Sequence, residues 1–184
     1  MAKSDILTTT ERYLDQENFS WPSSGRHILG HYDDESIFLY QAYSPQISES
    51  AVRCQSFLTE CPQNGFSLTR MTWLKPNFLW MMYRSGWATK YNQERILALR
   101  VSRLGFEKIL RASVSTSKLP DETLCQYRSR LKESPVRLQW DPDHLPNGER
   151  HTARKAIQIG IRGDILIEFL NKWITQIEDI PDFV

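Results

Sequence analysis

With 23 basic and 22 acidic side chains in 184 residues, the chain carries a formal charge of only +1. Bulk charge therefore gives no reason to expect nucleic-acid binding, and only a local basic patch would argue for it. The length suits one domain with a full hydrophobic core. No apolar run approaches the roughly 20 residues a membrane span needs, and MAKSDILTTTERYLDQENF lacks the order of a signal peptide.

The expectation is a cytoplasmic protein with no membrane partner. Cys54, Cys61 and Cys125 are odd in number and lack metal spacing, so they read as reduced thiols. His27, His31, His144 and His151 are scattered, and no metal is expected.

In chain order, residues 1–24 read as a flexible arm with one short helix over 8–17, and WPSSG (21–25) is turn chemistry. Residues 25–184 read as a single domain. IFLYQAY (37–43) is a strand apolar on both faces, hence central. Ser44 and Pro45 open a helix with the stripe Ile47, Ala51, Cys54 and Leu58, which stops near CPQNG (61–65). FSLTRMTW (66–73) is extended. Pro76 then starts the helix NFLWMMYRSGWA, ended by Gly86 and TKYNQ.

ERILALRVS (94–102) is a second strand and FEKILRAS (106–113) a short helix, with another helix near 121–131. PVRLQWDP (135–142) is a strand closed by Pro142, with Asp141 and Asp143 as turn residues. ARKAIQIGI (153–161) is a strand, and Asp164 caps a last helix with the stripe Leu166, Phe169, Leu170, Trp173 and Ile177. Neither a βαβ repeat nor a Gly-rich phosphate loop occurs. The fold class is α+β: a compact domain with a central mixed sheet and flanking helices.

RMTWLKPNFLWMMYRSGW (70–87) is the densest stretch. Seven residues make almost two helical turns, so Trp80 and Trp87 lie on nearly the same face with Arg84 between them. Such a sandwich gains roughly 0.5–2 kcal/mol of cation–π energy. Two readings stand. In one this is a packed core helix with Arg84 satisfied by a buried carboxylate or carbonyl; Glu94 is either a partner for Arg70 or Arg84 or a solvated strand end. In the other, Arg70, Lys75 and Arg84 converge on an anionic ligand and the aromatic rings stack on a base or nicotinamide.

Gln41 and Tyr43 are polar residues in an apolar strand and need partners or a ligand. In KAIQIGI the isoleucines face the core, leaving Ala156, Gln158 and Gly160 on a small face that admits a ligand close to the backbone. Asp33-Asp34-Glu35 reads as a solvated turn.

YQAY, RMTWLKPNFLWMMYRSGW, QERILALRVSR, VRLQWDP and KAIQIGIRG together resemble the uncharacterised family called domain of unknown function 4291, from about Arg26 to Trp173. A more distant resemblance is to the ADP-ribosyltransferase superfamily. It implies that Tyr40-Gln41-Ala42 occupies the first motif, Thr72 the second, Tyr83 the nicotinamide-stacking position, and Gln158 the position usually held by a catalytic Glu.

The resemblance implies an NAD- or nucleotide-using transferase, with nucleic acid as one acceptor. Gln41, Tyr43 and Gln158 are the expected catalytic residues. Arg26, Tyr40, Arg70, Thr72, Trp73, Lys75, Tyr83 and Arg84 are the expected substrate- and cofactor-binding residues. Two alternatives remain open: a non-catalytic nucleotide- or RNA-binding module, and an enzyme acting on another phosphate-bearing or aminoacylated substrate.

Overall fold

A computed structural model describes residues 12–58 and 65–180. The elements in chain order are α1 (Tyr13–Phe19), β1 (Gly25–Arg26), β2 (Ser36–Tyr43), α2 (Pro45–Cys54), β3 (Thr72–Leu74), α3 (Phe78–Ser85), β4 (Arg95–Ser102), α4 (Arg103–Arg111), β5 (Ser113–Ser115), α5 (Leu124–Glu133), β6 (Val136–His144), β7 (Arg150–Ile161), α6 (Gly163–Glu168), a π-helical turn (Phe169–Trp173) and β8 (Ile174–Asp179). The class is α+β, as the mixed pattern predicts.

The strands divide between two sheets rather than one. β7 is the spine of a mixed five-stranded sheet in the order β1-β7-β6-β5, and β3 pairs with the far end of β7. The second sheet is antiparallel, in the order β2-β4-β8. The two meet where Tyr40 and Lys75 exchange backbone hydrogen bonds of 2.8 and 3.2 Å. β3 is therefore bonded to β7 along one edge and touches β2 along the other. This junction builds the site described below.

Side-chain alternation along β2 divides the interior. Ile37 and Leu39 face the main core with Leu97, Leu99, Ile157, Ile159, Phe169 and Ile177. Phe38 and Tyr40 face a smaller core with Met81 and Met82 of α3. Both faces of β2 are thus buried by apolar contact, which explains its unbroken apolar run.

Several boundaries differ from the sequence reading for identifiable reasons. α2 ends at Cys54 because Gln55 turns left-handed at φ 51°, so Leu58 lies beyond the helix. The Gln55 side chain then accepts from Ile177 N and donates to Ile177 O, both at 2.8 Å, tying the helix end to β8. The expected stop near 61–65 lies largely outside the described residues. Of the expected extended segment only Thr72 and Trp73 are strand, and β3 runs on to Leu74.

α3 starts after Asn77, whose side chain accepts from Trp80 N at 2.8 Å. β6 runs through Pro142 to His144, because the ladder shifts register there and a bulge accommodates a missing N–H donor. Asp141 and Asp143 are therefore strand residues, not turn residues. The last helix is capped at Arg162 rather than Asp164 and stops before Ile177. Ile177 belongs to β8, whose β-branched residues pair with β4.

The expected arm carries α1, shifted to Tyr13–Phe19. The first 11 residues lie outside the described part. Arg154 of β7, 1% exposed, donates to Asp143 Oδ2 at 2.6 Å and to Tyr13 Oη at 3.2 Å, and pairs with Glu17 at 3.6 Å. Its guanidinium also lies 5.1 Å from the Trp21 ring centroid. Through Arg154, α1 and the turn after it are moored to the five-stranded sheet.

Candidate functional site

At the junction of the two sheets lies a cleft of about 770 Å³. Its walls come from the end of β2, the start of α2, the loop before β3, β3 with Lys75, the inner side of α3, the loop 91–93 and β7. Eight of the expected site residues line it: Gln41, Tyr43, Arg70, Thr72, Trp73, Lys75, Arg84 and Gln158. They span more than a hundred positions in sequence, and antiparallel pairing brings them together.

Polar contacts hold the wall. Gln41 is 4% exposed; its Nε2 donates to Trp73 O at 3.2 Å, and its Oε1 accepts from the Tyr43 hydroxyl at 3.1 Å. Burial pushes the Tyr43 phenol pKa well up, against the opposing hydrogen bonds to Thr72 and Gln41. These residues brace β2 against β3, so the buried polar atoms of the apolar strand are satisfied.

On the opposite wall Gln158 Nε2 donates to Asp141 Oδ2, and Gln139 Nε2 to Asp141 Oδ1, both at 2.8 Å. Asp141 thus sits one hydrogen bond behind Gln158. The sequence reading missed this carboxylate because Pro142 suggested a turn. The available signal was two-residue alternation, which aligns Gln139 with Asp141 on one face.

Charge distinguishes this cleft. Arg70 and Arg84 are exposed at its rim, and Lys75 is 5% exposed. Among the described residues no ion pair involves any of the three, and no carboxylate lines the cleft. The Lys75 ammonium accordingly has its pKa lowered to about 8, chiefly by burial and then by Arg84, while Asp141 works in the opposite direction. Glu94, one candidate partner for Arg70 or Arg84, instead accepts from Asn92 N at 2.9 Å. Its Oε2 is buried without a hydrogen-bond partner among the described residues.

Three expected binding residues lie elsewhere. Tyr40 neighbours Gln41, so alternation turns it to the opposite face, where it packs edge-on against Phe78 at 5.4 Å. Burial there pushes its pKa up to about 12. Arg26 is exposed on β1, beside Lys155. Tyr83 points away from the cleft and stacks on His144 at 3.6 Å.

The expected Trp80–Arg84–Trp87 sandwich does not form. α3 ends at Ser85, Gly86 turns left-handed at φ 63°, and Trp87 follows outside the helix at φ 54°. The seven-residue spacing is then no longer helical. Trp80 stacks instead on Tyr83 and His144, at 5.6 and 5.2 Å.

Gly160 also differs from expectation. A Cβ there would meet Met71 Sδ at 2.6 Å, so Met71 covers the backbone that a ligand was expected to approach. Among the described residues, no group of three or more His, Cys, Asp or Glu side chains is arranged to hold a metal. None of the described helices is long and apolar enough to cross a membrane.

The molecule is thus an α+β domain with a cation-lined cleft between two sheets, in which none of the described lining residues is a carboxylate. The chain belongs to the family described as a domain of unknown function (DUF4291), which it matches over residues 27–184. No curated protein matches it.

Proposed function

We propose that the cleft binds a phosphate-bearing nucleotide and that the protein is an NAD- or nucleotide-using transferase of the ADP-ribosyltransferase-like type. The observation that carries this reading is the charge arrangement. Arg70, Lys75 and Arg84 line one cleft, and among the described residues none has a carboxylate partner. Desolvating a lysine beside an arginine costs free energy unless an anion offsets it.

The remaining features fit the same ligand class. A volume of about 770 Å³ lies within the range of nucleotide and cofactor sites. Arg70 and Arg84 are suited to phosphate oxygens, where a guanidinium binds with two parallel donors. The Gln158 side chain, polarised by Asp141, is suited to a ribose hydroxyl. Trp73 offers an aromatic surface at the cleft wall. Gln41 and Tyr43 act by holding β2 against β3. Catalysis in this reading consists of positioning and electrostatic stabilisation.

Isothermal calorimetry with NAD, ADP-ribose, pyrophosphate and a short single-stranded RNA tests the proposal. Nucleotides with two linked phosphates should bind in the micromolar to millimolar range, and Arg84→Met should weaken them about tenfold, the loss of one charge-assisted contact. Absence of binding by all four at millimolar concentration overturns the reading. Binding of RNA alone would favour the RNA-binding alternative.

A further inference from the structure

We propose that Lys75 is a covalent catalytic residue: its side-chain amine forms an imine with the aldehyde of a phosphate-bearing sugar or similar carbonyl compound held in the cleft. The inference rests on the phosphate-binding reading above and goes beyond it, adding a covalent step to the positioning and electrostatic catalysis proposed there. It names the reacting group and the chemical class of the ligand.

Geometry carries it. Lys75 follows β3 at the junction of the sheets, and its backbone is fixed on both sides by Tyr40, at 2.8 and 3.2 Å. The residue is 5% exposed, yet it lines the open cleft. Its ammonium has no hydrogen-bond or ion-pair partner among the described residues. A structural buried lysine is normally paired, because an unpaired buried charge is costly.

The groups facing Lys75 keep it that way. Arg84 on α3 is the like charge that acts on it, and Arg70, from the loop before β3, is a further cation lining the same cleft. The Tyr43 phenol on β2 is hydrogen-bonded to Gln41. Asp141 on β6 is the nearby acid, and its two oxygens are occupied by the amides of Gln139 and Gln158.

A lysine so desolvated loses its proton more readily, to a pKa of about 8. At pH 7.5 about a quarter of such amines are neutral, against about one in a thousand for an ordinary lysine. Arg84 serves two ends, since the guanidinium that favours the neutral amine also suits the ligand's phosphate.

The step balances without a redox partner. The Nζ lone pair attacks the carbonyl carbon, forming a C–N bond and a carbinolamine. The carbonyl oxygen then leaves as water with the two hydrogens of the amine, giving the neutral imine. Phosphate contacts at the rim hold the carbonyl over the amine, which makes the encounter effectively intramolecular.

The test uses the full chain with pyridoxal 5′-phosphate as a phosphate-bearing aldehyde probe, borohydride reduction and peptide mass mapping. Lys75 should be labelled at least tenfold faster than exposed lysines such as Lys118 and Lys172. Pyrophosphate should suppress the labelling, and Lys75→Met should abolish it. Pyridoxal, which lacks the phosphate, should label Lys75 at least tenfold more slowly.

Equal labelling of the exposed lysines, or no adduct at Lys75, overturns the proposal. Equal rates with pyridoxal overturn the phosphate-bearing class of ligand. If pyrophosphate still binds by calorimetry while no adduct forms, the imine fails and the nucleotide site stands. If no adduct forms and none of the four ligands binds by calorimetry, both readings fall.

Discussion

Lys75 is where function and stability conflict at the scale of one residue. Its folded-state pKa is about 8, below the ordinary 10.5. For a cation this means that the unfolded chain binds the proton more tightly. The destabilisation is fully present below about pH 8, and stability rises as pH climbs from 8 toward 10.5. At 1.36 kcal/mol per unit the penalty is about 3 kcal/mol at most. Lys75→Met removes the charge and keeps an unbranched side chain only one heavy atom shorter. We predict that it stabilises the protein by about 1–3 kcal/mol at pH 7 and abolishes the rise above pH 8, read by urea unfolding at pH 7 and 10. Destabilisation at pH 7 would mean that the ammonium has a favourable partner after all.

The same residue illustrates what single positions reveal. Arg70, Lys75 and Arg84 were recognisable as out of place in an aromatic block, because cations there need a reason. Tyr40 and Tyr83 were not assignable in the same way. Whether a tyrosine faces a cleft depends on strand alternation at Tyr40 and on the His144 ring beside Tyr83, a partner 61 positions away in sequence.

At the scale of elements, local signals were reliable where local chemistry decides. The strands β2, β4 and β7 follow from β-branched and apolar runs, and α3 from Pro76 and Asn77. Failures came where tertiary pairing overrides the local pattern. The stripe from Leu166 to Ile177 keeps helical spacing, yet the chain leaves the helix through a π-helical turn and joins β4 as β8. Pro142 looked terminal because a proline removes a ladder donor, but the bulge beside it lets β6 continue as far as Asp143 and His144.

That continuation matters, because Asp143 is the buried anchor of Arg154. Both side chains are 1% exposed and 2.6 Å apart. Removing one partner leaves a buried charge, typically a loss of about 3–5 kcal/mol. Arg154 also holds Tyr13 and Glu17 of α1. We predict that Arg154→Met destabilises the fold by about that amount and releases α1 beyond it. The check is hydrogen exchange: amides of Asp15–Phe19 should lose protection before those of β7. Equal loss across both would mean that α1 is held by other contacts.

For the whole molecule, the cleft lies at the junction of two sheets, where Tyr40 and Lys75 supply one reciprocal pair of backbone bonds. Gln41 and Tyr43 belong to the three-stranded sheet, Trp73 and Gln158 to the five-stranded one. A ligand seated between them touches both sheets and binds the folded state alone, so it must raise stability by mass action. Net charge sets how this depends on salt. A chain at +1 exerts little long-range attraction on an anion, and the local cluster of Arg70, Lys75 and Arg84 provides the field. At 0.15 M ionic strength the Debye length is about 8 Å, so the exposed Arg70 and Arg84 are screened while the buried Lys75 is screened less. We predict that pyrophosphate at a hundred times its dissociation constant raises stability by about 2.7 kcal/mol. The gain should fall, without vanishing, between 20 mM and 500 mM salt, followed as a thermal-melting shift. Complete loss at high salt would mean that only rim arginines hold the anion. A gain insensitive to salt would mean that the three cations do not carry the binding.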